Sequence, residues 1–260
     1  MRTRVEVISM ATATDRRAQF IEAARAARSE WTFVDAASSA PPGVPHDPVA
    51  ATRRFGRPLT GAEIGCFASH WHAWSRLLQS SDEQRIVLED DVIVDWHAID
   101  PLGSVDFSAH GLDLVRFYST HPFSHRTAIT RFSSPHRHLV QTRGMFLGSQ
   151  GYVLTRRAAQ RLVQCVTAIA MPVDWYMGRY WELGFPNYCL FPFPVIERET
   201  PSHIGDRPEP SVGGRDRLLR LGWRLRDRLE REVADLRSLG RRFEQHPDFG
   251  PTFIERHRTG

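Results

Sequence analysis

The stretch Ile86-Val87-Leu88-Glu89-Asp90-Asp91-Val92-Ile93-Val94 sets three adjacent carboxylates between two apolar triplets. Ionised acids are costly in a low-dielectric interior unless a cation compensates them. A strand has period two, so an extended backbone would turn Glu89 and Asp91 to one side and Asp90 to the other. A hard divalent ion takes oxygen ligands and commonly bridges protein carboxylates to a diphosphate. The plainer alternative is a strand that ends in a solvated acidic turn.

Other residues could share in such chemistry. Taking a proton from a hydroxyl needs a carboxylate within hydrogen-bond reach. Asp174, between Pro172 and Trp175-Tyr176 with Trp181 close by, is the first candidate, ahead of Glu63 and Glu199. The alternative for Asp174 is a helix N-cap among core aromatics. Glu63 and His70 are seven residues apart and so share a helical face, with Ser69 beside them. They either line a cleft or act as a capping Glu and a core-edge His. Arg16 and Arg17 are suited to pair with phosphates, although surface charge accounts for at least one of them. Gly148 and Gly151 permit a tight turn and a close backbone approach.

The elements that must position these groups follow from periodicity. Val5 to Ile8 reads as a first strand, and Asp15 to Arg28 as a helix with Phe20, Ile21, Ala24 and Ala27 on one side. Trp31 to Val34 reads as a second strand, and residues 37–48, rich in Ser, Pro and Gly, as a loop. Thr60 with Glu63 three residues on has capping-box spacing, opening a helix through Phe67, Trp71, Trp74 and Leu77. Leu112 to Tyr118 and Gly151 to Thr155 read as strands, the latter followed by a helix to about Ala168. Strands alternating with helices predict an α/β domain with a mostly parallel central sheet.

Several of these segments, taken in order, resemble glycosyltransferase family 25. Val5-Glu6-Val7-Ile8-Ser9-Met10 with Asp15-Arg16-Arg17 looks like its opening, and Leu59 to His70, LTGAEIGCFASH, is similar to its second motif. Leu88-Glu89-Asp90-Asp91-Val92 resembles the third, and Gly148 to Leu154, then Ala158-Ala159, then Met171 to Asp174 complete the order. The resemblance runs from about residue 4 to 205. It implies a GT-A type nucleotide-sugar fold and transfer from a UDP-sugar, usually a galactose, with inversion at the anomeric carbon. It further implies that Glu89-Asp90-Asp91 is the acidic metal motif, with Asp91 on a Mn²⁺ or Mg²⁺ ion, Glu89 on the metal or the ribose, and Asp90 on the donor. Donor contacts are then expected from Ser9, Arg16, Glu63, Ser69, His70 and Gly151. His203, late in the chain, falls where GT-A enzymes often place a further metal ligand. Asp174 would serve as base, with Glu63 next in line. Ser9-Met10 stand where the family usually has Asn-Leu.

Composition bounds the rest. The 260 residues are 41% apolar, with seven Trp and fifteen Phe, enough for a sizeable core. Cys66, Cys165 and Cys189 have neither metal-ligand spacing nor a paired framework, which predicts buried structural thiols. With no export signal, a cytoplasmic home is expected. All 34 basic residues are Arg. Residues 215–244 hold ten of them against six acids, so the +4 of the whole chain lies there. A chain-wide nucleic-acid surface is therefore not indicated. A domain over 1–205, a linker over 206–214 and a helical tail over 215–260 follow. In the tail Leu218, Leu225, Leu229, Val233, Leu236 and Phe243 recur at helical spacing, broken near Gly240. The tail is suited either to the inner membrane surface, beside a lipid-linked saccharide acceptor, or to packing on protein. A non-catalytic nucleotide-sugar or saccharide binder on the same fold is the alternative function.

Overall fold

The computed structural model describes residues 3–198 and 214–238. In chain order the elements are β1 (Arg4–Ser9), α1 (Thr14–Ala23), β2 (Trp31–Asp35), α2 (Pro48–Arg54), α3 (Gly61–Gln79), β3 (Gln84–Glu89), β4 (Val92–Val94) and α4 (Trp96–Ile99). There follow β5 (Leu114–Arg116), β6 (Ser124–Ile129), β7 (His138–Arg143), β8 (Gly151–Thr155) and α5 (Arg156–Cys165). Last come α6 (Val173–Gly178), α7 (Tyr180–Leu183), β9 (Tyr188–Phe191), β10 (Val195–Glu197) and α8 (Gly214–Ser238).

Eight strands form one sheet in the order β2-β1-β3-β8-β5-β9-β7-β6. Tracing the pairings from β1, strands β1, β2, β3, β5, β6 and β9 run one way and β7 and β8 run against them. The sheet is thus α/β and mostly parallel, as the alternation of elements predicts. Both faces are covered, which explains the unbroken apolar runs of its central strands. Ile86, Leu88 and Val153 point into one core with Phe20, Trp96 and Phe117. Val87, Tyr152 and Leu154 point into the other, beneath α3, α5 and α6.

Two local outcomes matter for the site. The capping box holds: Thr60 Oγ1 accepts from the Glu63 N–H, and the Glu63 carboxylate accepts from the Thr60 N–H at 2.9 Å. The acidic strand does not continue. β3 ends at Glu89, Asp90 and Asp91 form a turn, and Val92 starts β4, which pairs with β10. The expected alternation of carboxylates across a strand is therefore replaced by a turn that groups them.

The tail is a single helix over its described part, and Gly240 and the 206–213 segment lie outside the described residues. α8 packs on α2 and α7, with Arg220 donating to the Phe55 carbonyl at 2.9 Å and Tyr180 donating to Asp235 at 2.5 Å.

Candidate active site

Because β1, β2 and β3 are parallel, their carboxyl ends open on one edge of the sheet, the usual place for a crevice in such folds. A cavity of about 650 Å³ lies there, lined by the end of β1 and the loop after it, Arg16 of α1, the first turns of α3, and Glu89, Asp90 and Asp91. That volume suits a cofactor-sized ligand.

The acids are held by few groups. Ser9 Oγ donates to Asp90 at 2.6 Å and in turn accepts from Arg17 Nε at 3.0 Å. Arg16 Nη1 lies 3.3 Å from Asp90 and 3.4 Å from Asp91. Ser149 Oγ donates to Glu89 at 2.6 Å, and His70 Nε2 stands 3.4 Å from the same oxygen. Burial pushes Glu89 up, but His70, Ser149 and the charge of Arg16 outweigh it and hold the carboxyl below its ordinary value. Asp91 has the opposite balance. Burial, then Glu89 and Asp90, raise it to about 7 against the pull of Arg16. Asp91 Oδ1 is buried without a hydrogen-bond partner among the described residues. An orphaned carboxylate oxygen in a crowd of acids is an unmet demand for a cation. Glu89 and Asp91 are oxygen donors of the type a hard divalent cation takes.

His70 is fixed from its other side. Its Nδ1 lies 3.0 Å from the Tyr152 hydroxyl, which also accepts from Trp74 Nε1 at 2.9 Å. Cys66, one turn before His70 on α3, brings a thiol within 4.8 Å of the His70 and Glu89 ligand atoms, a mixed ligand set that cysteine spacing alone did not disclose. Burial and the nearby acids keep the Cys66 thiol well above its usual range, and burial does the same for Cys189. Cys165 departs from expectation, being exposed.

Antiparallel pairing of β8 with β3 sets the turn before β8 against Glu89, whose N–H donates to the Gln150 carbonyl at 3.0 Å. That turn also reaches Asp174: the Gly148 N–H donates to its carboxylate at 3.1 Å. Gly148 sits at φ +115°, a conformation open to glycine. Two consecutive residues thus tether Asp174 and Glu89 to one turn. Asp174 is not the N-cap of α6, a place taken by Pro172, and its carboxylate accepts from the Trp175 N–H as well as from the turn. Burial raises Asp174 above the ordinary carboxylate range, opposed by Arg116 and the backbone donors.

Arg116, on β5, was not singled out by sequence. It is fully buried, and none of its three nitrogens has a hydrogen-bond partner among the described residues. Burial lowers its pKa to about 10, while Asp174, Tyr152, Cys189 and Glu89 favour its charge. It is a counter-charge set beneath Asp174 and Glu89, over the Phe146 ring at 5.4 Å.

Of the expected donor contacts, Ser9, Arg16, Ser69, His70, Glu89 and Asp90 line the cavity, with Asp91. The Ser69 hydroxyl is already used, donating to the Gly65 carbonyl and accepting from the Ala37 N–H at 2.9 Å, so it shapes the cavity wall. Glu63 and Gly151 are not among the residues lining the cavity. Arg57 takes the two Glu63 oxygens at 2.7 and 2.8 Å, and the Thr60 N–H takes a further bond, so the carboxylate is engaged in a helix cap and a buried ion pair. At Gly151 a Cβ would meet Leu88 at 3.0 Å and Val195 at 3.2 Å, a close approach that only glycine allows. Arg17 is spent on Asp35 at 2.5 Å, tying β1 to β2. His203 and Glu199 lie outside the described residues.

Fold and site together give an α/β chain with a ligand-sized cavity over an acidic turn at the carboxyl ends of its parallel strands. Residues 3–177 match the family described as Glycosyltransferase family 25 (LPS biosynthesis protein), and the chain belongs to that family. Procollagen galactosyltransferase 1 of Danio rerio is 24% identical over 204 residues, 70% of this chain and 33% of that protein. Procollagen galactosyltransferase 2 of Homo sapiens is 50% identical over 36 residues, 14% of this chain and 6% of that protein. The chain thus spans no more than about a third of the length of these relatives. Among solved structures, the galactosyltransferase LgtC in complex with donor and acceptor sugar analogs matches with a TM-score of 0.39 at 12% identity, over 85% of this chain and 96% of that one.

Proposed function

We propose that the chain transfers a hexose from a UDP carrier to a saccharide acceptor with inversion, and that the hexose is galactose, the sugar in the names of its relatives. The observation that carries this is the acidic turn Glu89-Asp90-Asp91 facing a ligand-sized cavity, with Asp174 tethered to the same turn as Glu89. Glu89 and Asp91 would hold a divalent cation, Mn²⁺ or Mg²⁺, with His203 as a further ligand. When bound, that ion offsets the charge developing on the departing diphosphate. Ser9 and Arg16 fix the acids from below. Arg16 also presents a guanidinium to the cavity, suited to a phosphate oxygen. Asp174 takes the proton of the acceptor hydroxyl, a role that a carboxyl raised by burial performs better near neutral pH.

Incubating the chain with a panel of UDP-sugars and Mn²⁺ or Mg²⁺ tests the proposal through UDP release. UDP-galactose is expected to be consumed fastest, and excess chelator is expected to stop the reaction. Full turnover in chelator would remove the metal from the account. Binding of UDP-sugar without release under any condition would make the chain a non-catalytic binder.

The acceptor side of the proposal is a lipid-linked saccharide, met at the inner face of the cytoplasmic membrane. Among the described residues no helix is long and apolar enough to cross a membrane. α8 instead carries exposed Leu218, Leu221, Leu225, Leu229, Val233 and Leu236. At 3.6 residues per turn these fall within an arc of about 120°. Such a stripe beside exposed Arg217, Arg226 and Arg237 suits an anionic interface. Trp223, expected at that interface, is turned inward, under the Arg179 guanidinium at 5.0 Å. Co-sedimentation with anionic liposomes at low salt is expected for the full chain and not for Leu221→Glu/Leu229→Glu, two exposed positions away from the packed face of α8. Equal recovery of both in the supernatant would end the membrane assignment.

A further inference from the structure

Between α8, α2 and α6 lies a second cavity, of about 370 Å³, walled by Arg54, Arg224, Arg228 and Arg231 and by the indoles of Trp175 and Trp223. Arg224, Arg228 and Arg231 are four and three residues apart on α8 and so point the same way. The one acid in the wall, Asp227, is taken by Arg179 at 2.5 Å. Arg220, also in the wall, is turned to the Phe55 carbonyl. Among the described residues none of the four arginines named first has a carboxylate within ion-pair distance, and the acids that Arg231 and Arg54 act on, Asp227 and Glu182, are both held by Arg179. Clustered like charges repel, and a concave basic wall concentrates field on an anion. Guanidinium forks match phosphate and carboxylate oxygens. The two indoles add what a plain anion would not need, flat faces on which a sugar ring can stack.

The position of the cavity gives its role. Trp175 directly follows Asp174 on α6, so one short helix supplies both a wall of the second cavity and the group placed here as base. The donor cavity lies elsewhere, at the carboxyl ends of β1 and β3, and the two share no lining residue. We propose that the second cavity is the acceptor's anion subsite, taking a saccharide that bears a phosphate or a carboxylate and presenting its hydroxyl toward Asp174. This rests on the transferase reading above and deepens it by naming the acceptor's charge. It also gives α8 a purpose that neither membrane contact nor packing supplies, since three of the four arginines come from that helix.

Calorimetric titration of the full chain with hexose 6-phosphate, a hexuronic acid, the neutral hexose and inorganic phosphate tests the proposal, with UDP titrated in parallel. Hexose 6-phosphate or the uronic acid is expected to bind more tightly than either the neutral sugar or inorganic phosphate, and to weaken as salt is raised. Arg224→Ala/Arg228→Ala, which alters two exposed side chains, is expected to weaken that binding by about tenfold or more, while UDP affinity keeps its original value. Arg25→Ala, an exposed arginine on α1 side of the sheet, is expected to change neither. Inorganic phosphate binding as tightly as hexose 6-phosphate would overturn the saccharide assignment. Charged-sugar binding that is absent, or unchanged in the double variant, while UDP still binds, would overturn the subsite alone. Loss of UDP binding in the unaltered chain would instead count against the transferase reading.

Discussion

Asp91→Asn is expected to abolish sugar transfer while leaving the protein folded, with UDP release falling by about 10³-fold or more. The substitution keeps the shape of the side chain and removes the charge that a divalent ion would need, and the stabilisation of a departing diphosphate by such an ion is worth several kcal/mol. Little of the fold depends on Asp91. One oxygen has no hydrogen-bond partner among the described residues, and the other meets only Arg16 at 3.4 Å. Stability has a sign that separates this account from a structural one. The folded Asp91 carboxyl is raised to about 7 from an ordinary 3.8. Its contribution to stability is therefore complete below about pH 4 and is lost as pH rises through about 7. Asn carries no such dependence, so the metal-free variant is expected to melt no lower than the original chain, and higher above pH 7. A variant that turned over at the original rate would remove Asp91 from the metal site. A variant with a lowered Tm at pH 8 would make it a structural residue.

The expected Tm increase follows from a feature that the sequence showed only in part. Three acids between apolar triplets are legible as a charge cluster, and the ordered motifs around them are legible as a family. The backbone at the cluster is not. Val92-Ile93-Val94 has the same β-branched texture as Ile86-Val87-Leu88, so one strand running through both was the natural expectation. The chain turns at Asp90-Asp91 because Val92 to Val94 pair with β10, a strand about a hundred residues on. Such a long-range pairing leaves no trace in local periodicity.

Glu63 illustrates the opposite case. Its capping-box spacing with Thr60 was readable, and so was a shared helical face with His70. What decided between a cap and a cleft residue was Arg57, six positions away in a turn, whose buried guanidinium takes both carboxylate oxygens. Arg116 does leave a signal in the sequence. In an extended Leu114-Val115-Arg116 the first and third side chains share a face, and Leu114 belongs to the core beneath α3 and α5. An arginine on that face must be buried. The sequence does not say which acids it lies under, and that is what ties it to the site. Ser149 lies between Gly148 and Gly151 in sequence, and only the antiparallel pairing of β8 with β3 brings its hydroxyl onto Glu89.

Asp174→Asn is expected to lower the rate at saturating donor by about 10²–10⁴-fold, the usual worth of a general base, while leaving UDP affinity as it was. The amide oxygen can still accept from the Gly148 N–H, so the turn that also carries Ser149 keeps its place and Glu89 keeps its donor. What the amide cannot do is take a proton. The pH profile supplies a second readout. Because burial raises the Asp174 carboxyl, the acid limb of the rate is expected above the ordinary carboxylate range, and activity grows as pH rises through it. In Asp174→Asn that limb should vanish from the residual activity. Two results would assign the residue differently. A variant that loses donor affinity and keeps its rate at saturation makes Asp174 a binding group, its charge acting on the donor across the Gly148-Ser149 turn. A variant that keeps both rate and limb makes the carboxylate a prop for Gly148 and moves the base to a group outside this turn. Only loss of the limb together with loss of rate is the behaviour of a carboxylate that receives the acceptor's proton.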